Sequence, residues 1–567
     1  MSDDTITLAR FLYRRLVELG VNAIFGLPGD FSLSMLDELE DFDELSWIGA
    51  SSELGASFAA DGYARARGLG VLATTFGVGE LGAASGVAGA MAEDVGVLHI
   101  VSSPPTAAMR SGALVHHTLA DGDNWRFLRV ARELTHSQHV VEPDSAVDDI
   151  DRALREWVSA RRATYLLIPQ DLSTLRVSAT RLSRPIVADQ PNEVKLKQAH
   201  DLVARFFKQH PGAVAVAGHL LSRWRCTEFL RSLSERAVRV AVLPNSKATV
   251  DPSTPGYLGL YNGKLSPDAS RAAVEGGDGR VLIGCTLSDT TTGGLSHNFE
   301  PESTLIVTHD RLDWGTDHVD SVRFIDLVNL LDAEWPEAAE PSTLLVPNSP
   351  LSATEIGTGD CALTQDCALT QDQLWATIAD LLPSGARLFA DTGTSHFGAL
   401  DIALPDNTAF EPSPIWSAIG YSLPAAIGAS LGDPSRRVVA VIGDGATQMV
   451  AQEFGLIHRT GVNPIVILVN NDGYTVERVI RGPHATYNDI ATWNWQIVPR
   501  ALGVPESSMR IASASRAHSL GIELCRAFAD PGRAHFIEVV TDPLDVPPTL
   551  ATMASILQSK VTHSEKD

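Results

Sequence analysis

The sequence predicts an α/β protein of three doubly wound parallel-sheet domains. Three observations predict it. At 567 residues the chain has room for about three domains. Short apolar, β-branched runs alternate with runs whose apolar residues recur at helical spacing, as in buried parallel strands joined by crossover helices. Two polar, proline-containing stretches, near 178–192 and 335–352, divide the pattern into 1–180, 194–332 and 373–567.

Composition narrows the partners. Hydrophobic residues make up 44% of the chain, enough for sizeable cores. A formal net charge of −25, with a pI near 5.0, argues against nucleic acid and anionic membranes. The N-terminus lacks the basic and apolar regions of a signal peptide, and no apolar run is long enough to span a membrane. The five cysteines (Cys226, Cys285, Cys361, Cys367, Cys525) are scattered and odd in number, which fits a reducing cytoplasm. Cys361 and Cys367 do not have a metal-ligand spacing.

In chain order, Thr7–Gly20 is an amphipathic helix and Ala23–Gly26 a short strand. Leu27-Pro-Gly-Asp30 is a turn. A helix follows, then a strand near Leu45–Gly49, and a helix from Glu53 to about Arg67. Val71–Thr75 and Val97–Ser102 are buried strands. In the second region the strands are Ala213–Ala217, Val238–Leu243, Val281–Gly284 and Leu305–Val307; with no titratable cluster, it reads as scaffold or regulation. The tandem repeat Asp360–Gln371 is too short to be a structural unit and reads as a duplication tolerated in a linker. The third region opens with a helix over Leu374–Leu382 and a strand over Arg387–Asp391, followed by Thr392-Gly-Thr394. A turn and a small-residue helix occupy Ile415–Gly432. His535–Val540 is a late strand, and Pro548–Leu557 is helical.

The informative stretch is Arg437–Glu477. Two β-branched strands end in Gly443-Asp444-Gly445 and Asn470-Asn471-Asp472-Gly473, about 25 residues apart, with a crossover helix expected over Thr447–His458. Ligands of open α/β sheets sit at such carboxyl ends. Asp444 and Asn471 offer two hard oxygens, and Gly473 a carbonyl, to one Mg²⁺; water and phosphate would complete its octahedron. The glycines beside Asp444 let backbone amides approach a diphosphate.

This stretch resembles the diphosphate-anchoring motif of thiamine-diphosphate (ThDP) enzymes. The tail Asn471-Asp-Gly-Tyr-Thr-Val-Glu477 narrows the resemblance to the pyruvate decarboxylase group of 2-oxo acid decarboxylases. The length of the match outweighs a nucleotide-free Rossmann-like unit. The resemblance covers nearly the whole chain. It implies pyrimidine-binding, middle and diphosphate-binding domains in that order. It also implies a homodimer or homotetramer with active sites between subunits, and non-oxidative decarboxylation of a 2-oxo acid to an aldehyde and CO₂.

Residue by residue, the resemblance makes Glu53 the carboxyl group against the pyrimidine ring, with Thr75 and Val78 in the same pocket. It puts Ile419 under the bend of the cofactor beside Ser417, and Thr394, Gly443, Gly445 and Ala446 around the diphosphate. Asp30, His116, His117 and Glu477 match the family's proton-transfer groups, whose titrations are expected to be coupled. Several positions depart from the family pattern. Ser52 stands for Asn, Ala446 for Ser, Ser417-Ala418 for Gly-Ser and Ala120 for Gly; His396 replaces a small residue, and Met91–Gly96 lacks the usual Arg-Val-Pro-like run. None removes a proton-transfer group or a metal ligand.

Val476 stands where strict pyruvate decarboxylases carry Ile, and Tyr487–Trp495 resembles indolepyruvate and branched-chain oxo acid decarboxylases. Both lean towards a large or aromatic 2-oxo acid, with pyruvate possible. The rival readings are a ThDP carboligase of the acetolactate synthase or benzaldehyde lyase kind, a non-catalytic filament protein, and a flavoenzyme.

Overall fold

The computed structural model describes residues 5–337 and 368–564. Most of the tandem repeat, Cys361 and Cys367, and most of the second linker lie outside the described residues. The last residues of the repeat are described, and they start a helix. The Thr370 hydroxyl accepts from Gln373 N, and the Gln373 side chain accepts from Thr370 N, each at 3.2 Å. That capping box opens Gln371–Leu381.

Three mainly parallel sheets form, each built around strands that the apolar runs predict. The first runs Ser46–Gly49, Ala23–Gly26, Gly70–Thr75, Val97–Ser103, Thr164–Pro169, Ser137–Val140, parallel throughout. Thr5–Thr7 and Arg176–Ser178 pair separately, antiparallel. In the second sheet, Tyr257–Leu260, Val240–Val242, Val214–Ala217, Arg280–Ile283 and Thr304–Val307 are parallel. An antiparallel hairpin of Arg311–Trp314 and Asp317–Asp320 extends it. The hairpin strands carry exposed charges, which hid them from a reading based on apolar runs. The third sheet runs Ala409–Phe410, Arg387–Ala390, Val438–Gly443, Ile465–Asn470, Ala534–Val540, Met509–Ala514, again parallel.

The chain packs as two compact units. The first holds Met1–Gln190, Leu423–Ser435 and Gln452–Val462; the second holds Pro191–Ser422, Arg436–Ala451 and Asn463–Asp567. Within the first, the helix Glu53–Arg67 lies directly on the helix Ser422–Gly432. A Cβ at Gly62 would overlap the Ala425 carbonyl, and one at Gly428 would overlap that of Ala59.

The crossover expected as one helix over Thr447–His458 is broken. It forms a short helix Asp444–Gln448, a 3₁₀ turn Ala451–Glu453 and a helix Phe454–Thr460. The first piece belongs to the second unit and the last to the first, so each buries its own apolar side chains. Among the described residues, no helix is long and apolar enough to cross a membrane.

Candidate functional site

In the first unit, the turn after Ala23–Gly26 delivers Asp30. A Cβ at Gly29 would overlap the Thr75 side chain, so the turn runs directly against the end of the Gly70–Thr75 strand. Asp30 Oδ2 lies 2.7 Å from His116 Nε2, with side chains 49% and 56% exposed, so the pair is open to solvent and substrate. His116 stacks on Phe31 (4.8 Å, 18°), and His117 meets both Phe31 and His116 edge to face. Beneath them Phe31, Phe76, Met109, Phe127 and Tyr165 form a small apolar core. The buried Asn124 side chain donates to Ala108 O (3.0 Å) and Ala113 O (3.1 Å), tying down the loop that carries both histidines. The ligand atoms of Asp30, His116 and His117 lie within 4.8 Å of one another.

Glu53 is the first residue of its helix, capped by the Ser52 hydroxyl, which accepts from Gly55 N at 3.0 Å. The serine that departs from the family pattern therefore still caps. Glu53 is half-buried. Behind it lies Glu453, a residue the sequence did not single out. Its buried carboxylate accepts from Ser51 N (3.2 Å), and burial pushes it up to about 7. Val78 is 57% exposed, and the Thr75 hydroxyl is buried with no partner among the described residues.

In the second unit, Asp444 is 2% exposed, at the end of the Val438–Gly443 strand. Its Oδ1 accepts from Gly445 N (2.7 Å) and its Oδ2 from Gly473 N (3.2 Å); burial nevertheless pushes the carboxyl up to about 6. One end of the buried Asn471 amide lies 3.0 Å from Gly473 O and 3.1 Å from Asp444 Oδ1; the other end lies 2.9 Å from Thr475 Oγ1. With nitrogen inward, the amide donates to both oxygens. With oxygen inward, its nitrogen donates to the Thr475 hydroxyl, whose own proton goes to Pro543 O (2.8 Å). The Asn471 oxygen then faces the other two with no proton between, an arrangement that a cation would hold together. The buried Arg478 guanidinium fixes the turn by donating to Asn471 O (3.3 Å) and Asp472 O (2.7 Å).

Around this cluster, a Cβ at Gly443 would meet no atom within 4 Å, so open space adjoins the strand end. Ala446 is buried in the helix that Asp444 opens. Thr394 opens the helix Thr394–Asp401 and is buried. His396, two residues on, is buried, and both ring nitrogens lack hydrogen-bond partners among the described residues; burial pushes it down to about 4. Ser417 keeps a left-handed backbone (φ +54°) and donates to Pro414 O at 2.7 Å; Ile419 is half-buried. Asp391 holds this loop, accepting from Gly420 N (3.0 Å) and Ser422 N (2.8 Å). Its place at a strand end was the signal that could have marked it. Val476 is half-buried and Glu477 exposed on the helix Thr475–Ile480.

The structure thus brings Asp30, His116 and His117 together beside Thr75, and Asp444, Asn471 and Gly473 together at two strand ends. Glu477 lies in the other compact unit from Asp30 and the histidines.

Family models match three successive segments of the chain. The N-terminal TPP-binding domain of thiamine pyrophosphate enzymes matches residues 6–124, the central domain 201–328 and the C-terminal TPP-binding domain 391–535. An alpha-keto-acid decarboxylase of Mycobacterium tuberculosis is 37% identical over 560 residues, 97% of each chain. Those of Mycobacterium leprae and Mycobacterium ulcerans are each 36% identical, over 96% and 98% of this chain and 95% and 97% of their own. Full-length similarity at this level, together with all three domain matches, shows that the chain belongs to the ThDP-dependent 2-oxo acid decarboxylase family.

Proposed function

We propose that the chain converts a 2-oxo acid to an aldehyde and CO₂ with ThDP and Mg²⁺, favouring aromatic or branched-chain substrates. The observation that carries the reading is the exposed Asp30–His116 pair beside His117. Aldehyde release needs a proton delivered to the reacting carbon, and a carboxylate–imidazole pair can hold and pass one near neutral pH.

The oxygen triangle supports Mg²⁺. Magnesium–oxygen bonds of about 2.0–2.1 Å put neighbouring octahedral ligands about 2.9 Å apart; the separations here are 3.0 and 3.1 Å. Asp444, Asn471 and Gly473 would hold the ion. The open space at Gly443, beside Gly445 and the helix start at Ala446, suits the diphosphate, and the Thr394 hydroxyl would join it. The unpartnered Thr75 hydroxyl suits a polar group of the pyrimidine, with Glu53 and Val78 beside it. Bound ThDP would supply the thiazolium carbon that adds to the oxo acid and the cationic ring that takes up the electron pair left by CO₂. Glu53 would hold a proton against the ring, Ile419 would support its bend beside Ser417, and Glu477 would join Asp30 and the histidines in moving protons. Assembly as a cytoplasmic homodimer or homotetramer, with active sites shared between subunits, belongs to the same reading.

For the substrate, the aromatic segment is tied beside the oxygen cluster. Gln448 Nε2 donates to Ala491 O (2.6 Å), Thr492 Oγ1 lies 3.4 Å from Asp472 Oδ1, and Trp493 packs against Trp495. The test measures aldehyde from indolepyruvate, phenylpyruvate, 4-methyl-2-oxopentanoate and pyruvate, with and without ThDP and Mg²⁺. Cofactor-dependent aldehyde, best from the larger acids, is expected. Val476→Ile should shift the preference towards pyruvate by about tenfold or more, within the 1–3 kcal/mol that one methylene controls. Hydroxyketone as the main product would replace this reading with a carboligase.

A further inference from the structure

Glu80 lies outside every role assigned above. It sits in the first turn of the helix Val78–Ala92 and is 6% exposed. Its Oε1 accepts from Gly77 N and its Oε2 from the Tyr165 hydroxyl, both at 2.8 Å. Tyr165 is fully buried on the Thr164–Pro169 strand. The His99 ring meets Tyr165 edge-on at 5.7 Å, and His99 Nε2 lies 2.9 Å from Thr74 Oγ1. A capping-box glutamate ordinarily reaches back across an exposed turn, where water can replace it. This one is enclosed, and burial pushes its carboxyl up to about 7.

The turn that Glu80 holds touches three candidate site residues. Gly77 has φ +67°, and a Cβ there would overlap the His117 carbonyl oxygen, so the turn supports the His117 backbone directly. Val78 is the next residue. The Glu53 carboxylate packs on the same stretch: a Cβ at Gly79 would touch its Oε1 at 3.5 Å, and one at Gly82 would crowd its Oε2 at 3.1 Å. His117, Val78 and Glu53 therefore rest on one helical turn, and the bond from Gly77 N to Glu80 sets where that turn begins.

We propose that Glu80, locked by Tyr165, is a positioning residue: through Gly77 it aligns Glu53 and His117 for the reaction. The inference rests on the ThDP reading above. Glutamine at position 80 can still accept from Gly77 N and can donate its amide to the Tyr165 oxygen, whereas alanine can do neither.

The test compares Glu80→Ala, Glu80→Gln and Tyr165→Phe with the unaltered chain. Glu80→Ala is expected to lower kcat at least tenfold with KM changed less than twofold. It should also slow exchange of the C2 proton of bound ThDP, followed by NMR. Glu80→Gln should restore both to within about threefold. Tyr165→Phe, which removes one bond only, should fall between. Amide hydrogen exchange of 77–81 in the cofactor-free chain should quicken in Glu80→Ala and not in Glu80→Gln. The proposal fails if Glu80→Ala leaves C2 exchange and amide exchange unchanged, or if Glu80→Gln is as impaired as Glu80→Ala. If Glu80→Ala does not fold, Tyr165→Phe with unaltered kcat and C2 exchange overturns it. An unaltered chain that binds ThDP and exchanges its C2 proton but makes no aldehyde defeats the decarboxylase reading alone, and the Glu80 comparison still stands.

Discussion

The oxygen cluster of Asp444, Asn471 and Gly473 and the Asp30–His116–His117 cluster are built in opposite ways. The first is buried at the ends of two adjacent parallel strands, whose register fixes Asp444 and Asn471 to within one residue of each other along the sheet. The second is exposed and set on a turn and a loop, held by stacking on Phe31 and by the buried Asn124 amide. A divalent ion and a diphosphate need fixed, dehydrated ligands, and strand ends supply them. Proton transfer needs groups that water and substrate can reach, and loops on a packed scaffold supply those. The difference teaches that holding the cofactor and moving protons should fail separately.

The largest effect breaks that comparison most directly. Asp444→Ala removes one corner of the oxygen triangle and leaves Asn471 facing Gly473 O. Metal sites contribute several kcal/mol, so aldehyde formation should drop by more than about a thousandfold, and Mg²⁺-dependent retention of ThDP on gel filtration should vanish. His116→Ala should lower aldehyde formation by about 10²–10⁴-fold with ThDP retained. If His116→Ala also loses ThDP, the two clusters are not separate devices.

The strand-end cluster was the legible one. Gly443-Asp444-Gly445 and Asn470-Asn471 mark the ends of apolar runs, and parallel pairing then leaves little freedom. The pairing of Asp30 with His116 was not readable from spacing, because 86 residues and a loop of irregular backbone separate them; only the resemblance pointed to it. Two substituted glycines show how firmly the loops are held. Ala120 and Ser417 both keep positive φ, +57° and +54°, where a Cβ costs about 1–2 kcal/mol. The supporting residues Glu453, Arg478 and Asn124 escaped notice for one reason. Each acts on backbone distant in sequence or on an irregular loop, and helix and strand periodicity carries no trace of such bonds.

Beneath their differences the two regions share a device. Asp391 holds the loop of Ile419, and Glu453 holds the residues before Glu53, each through backbone amides and each with its acidity suppressed by burial, to about 6 and about 7. A carboxyl whose pKa is raised on folding contributes stability that is complete below its unfolded value, about 4.3 for Glu, and that is lost as pH rises through the folded value. The cofactor-free chain should therefore lose stability between about pH 4.5 and 7 through Glu453. Glu453→Gln should remove that part, making the variant up to about 3 kcal/mol more stable relative to the unaltered chain at pH 8 than at pH 5. Urea unfolding at the two pH values reads the difference, and equal slopes would show that Glu453 shares its proton with another group.

The smallest effect sharpens the comparison on the loop side, where Thr75 carries the sign of a missing partner. Its hydroxyl is buried against the Asp30 turn without a hydrogen bond among the described residues. Valine has nearly the same shape and no polar atom to desolvate. Thr75→Val should therefore stabilise the cofactor-free chain by about 1 kcal/mol, since an unsatisfied buried group costs that much or more. If the hydroxyl meets the pyrimidine, the same variant should weaken ThDP binding by about five- to tenfold, one hydrogen bond's worth. Calorimetric unfolding and cofactor titration give two numbers of opposite sign. A stabilised variant that binds ThDP as before would leave Thr75 a packing residue and shift the pyrimidine contact to Glu53 and Val78.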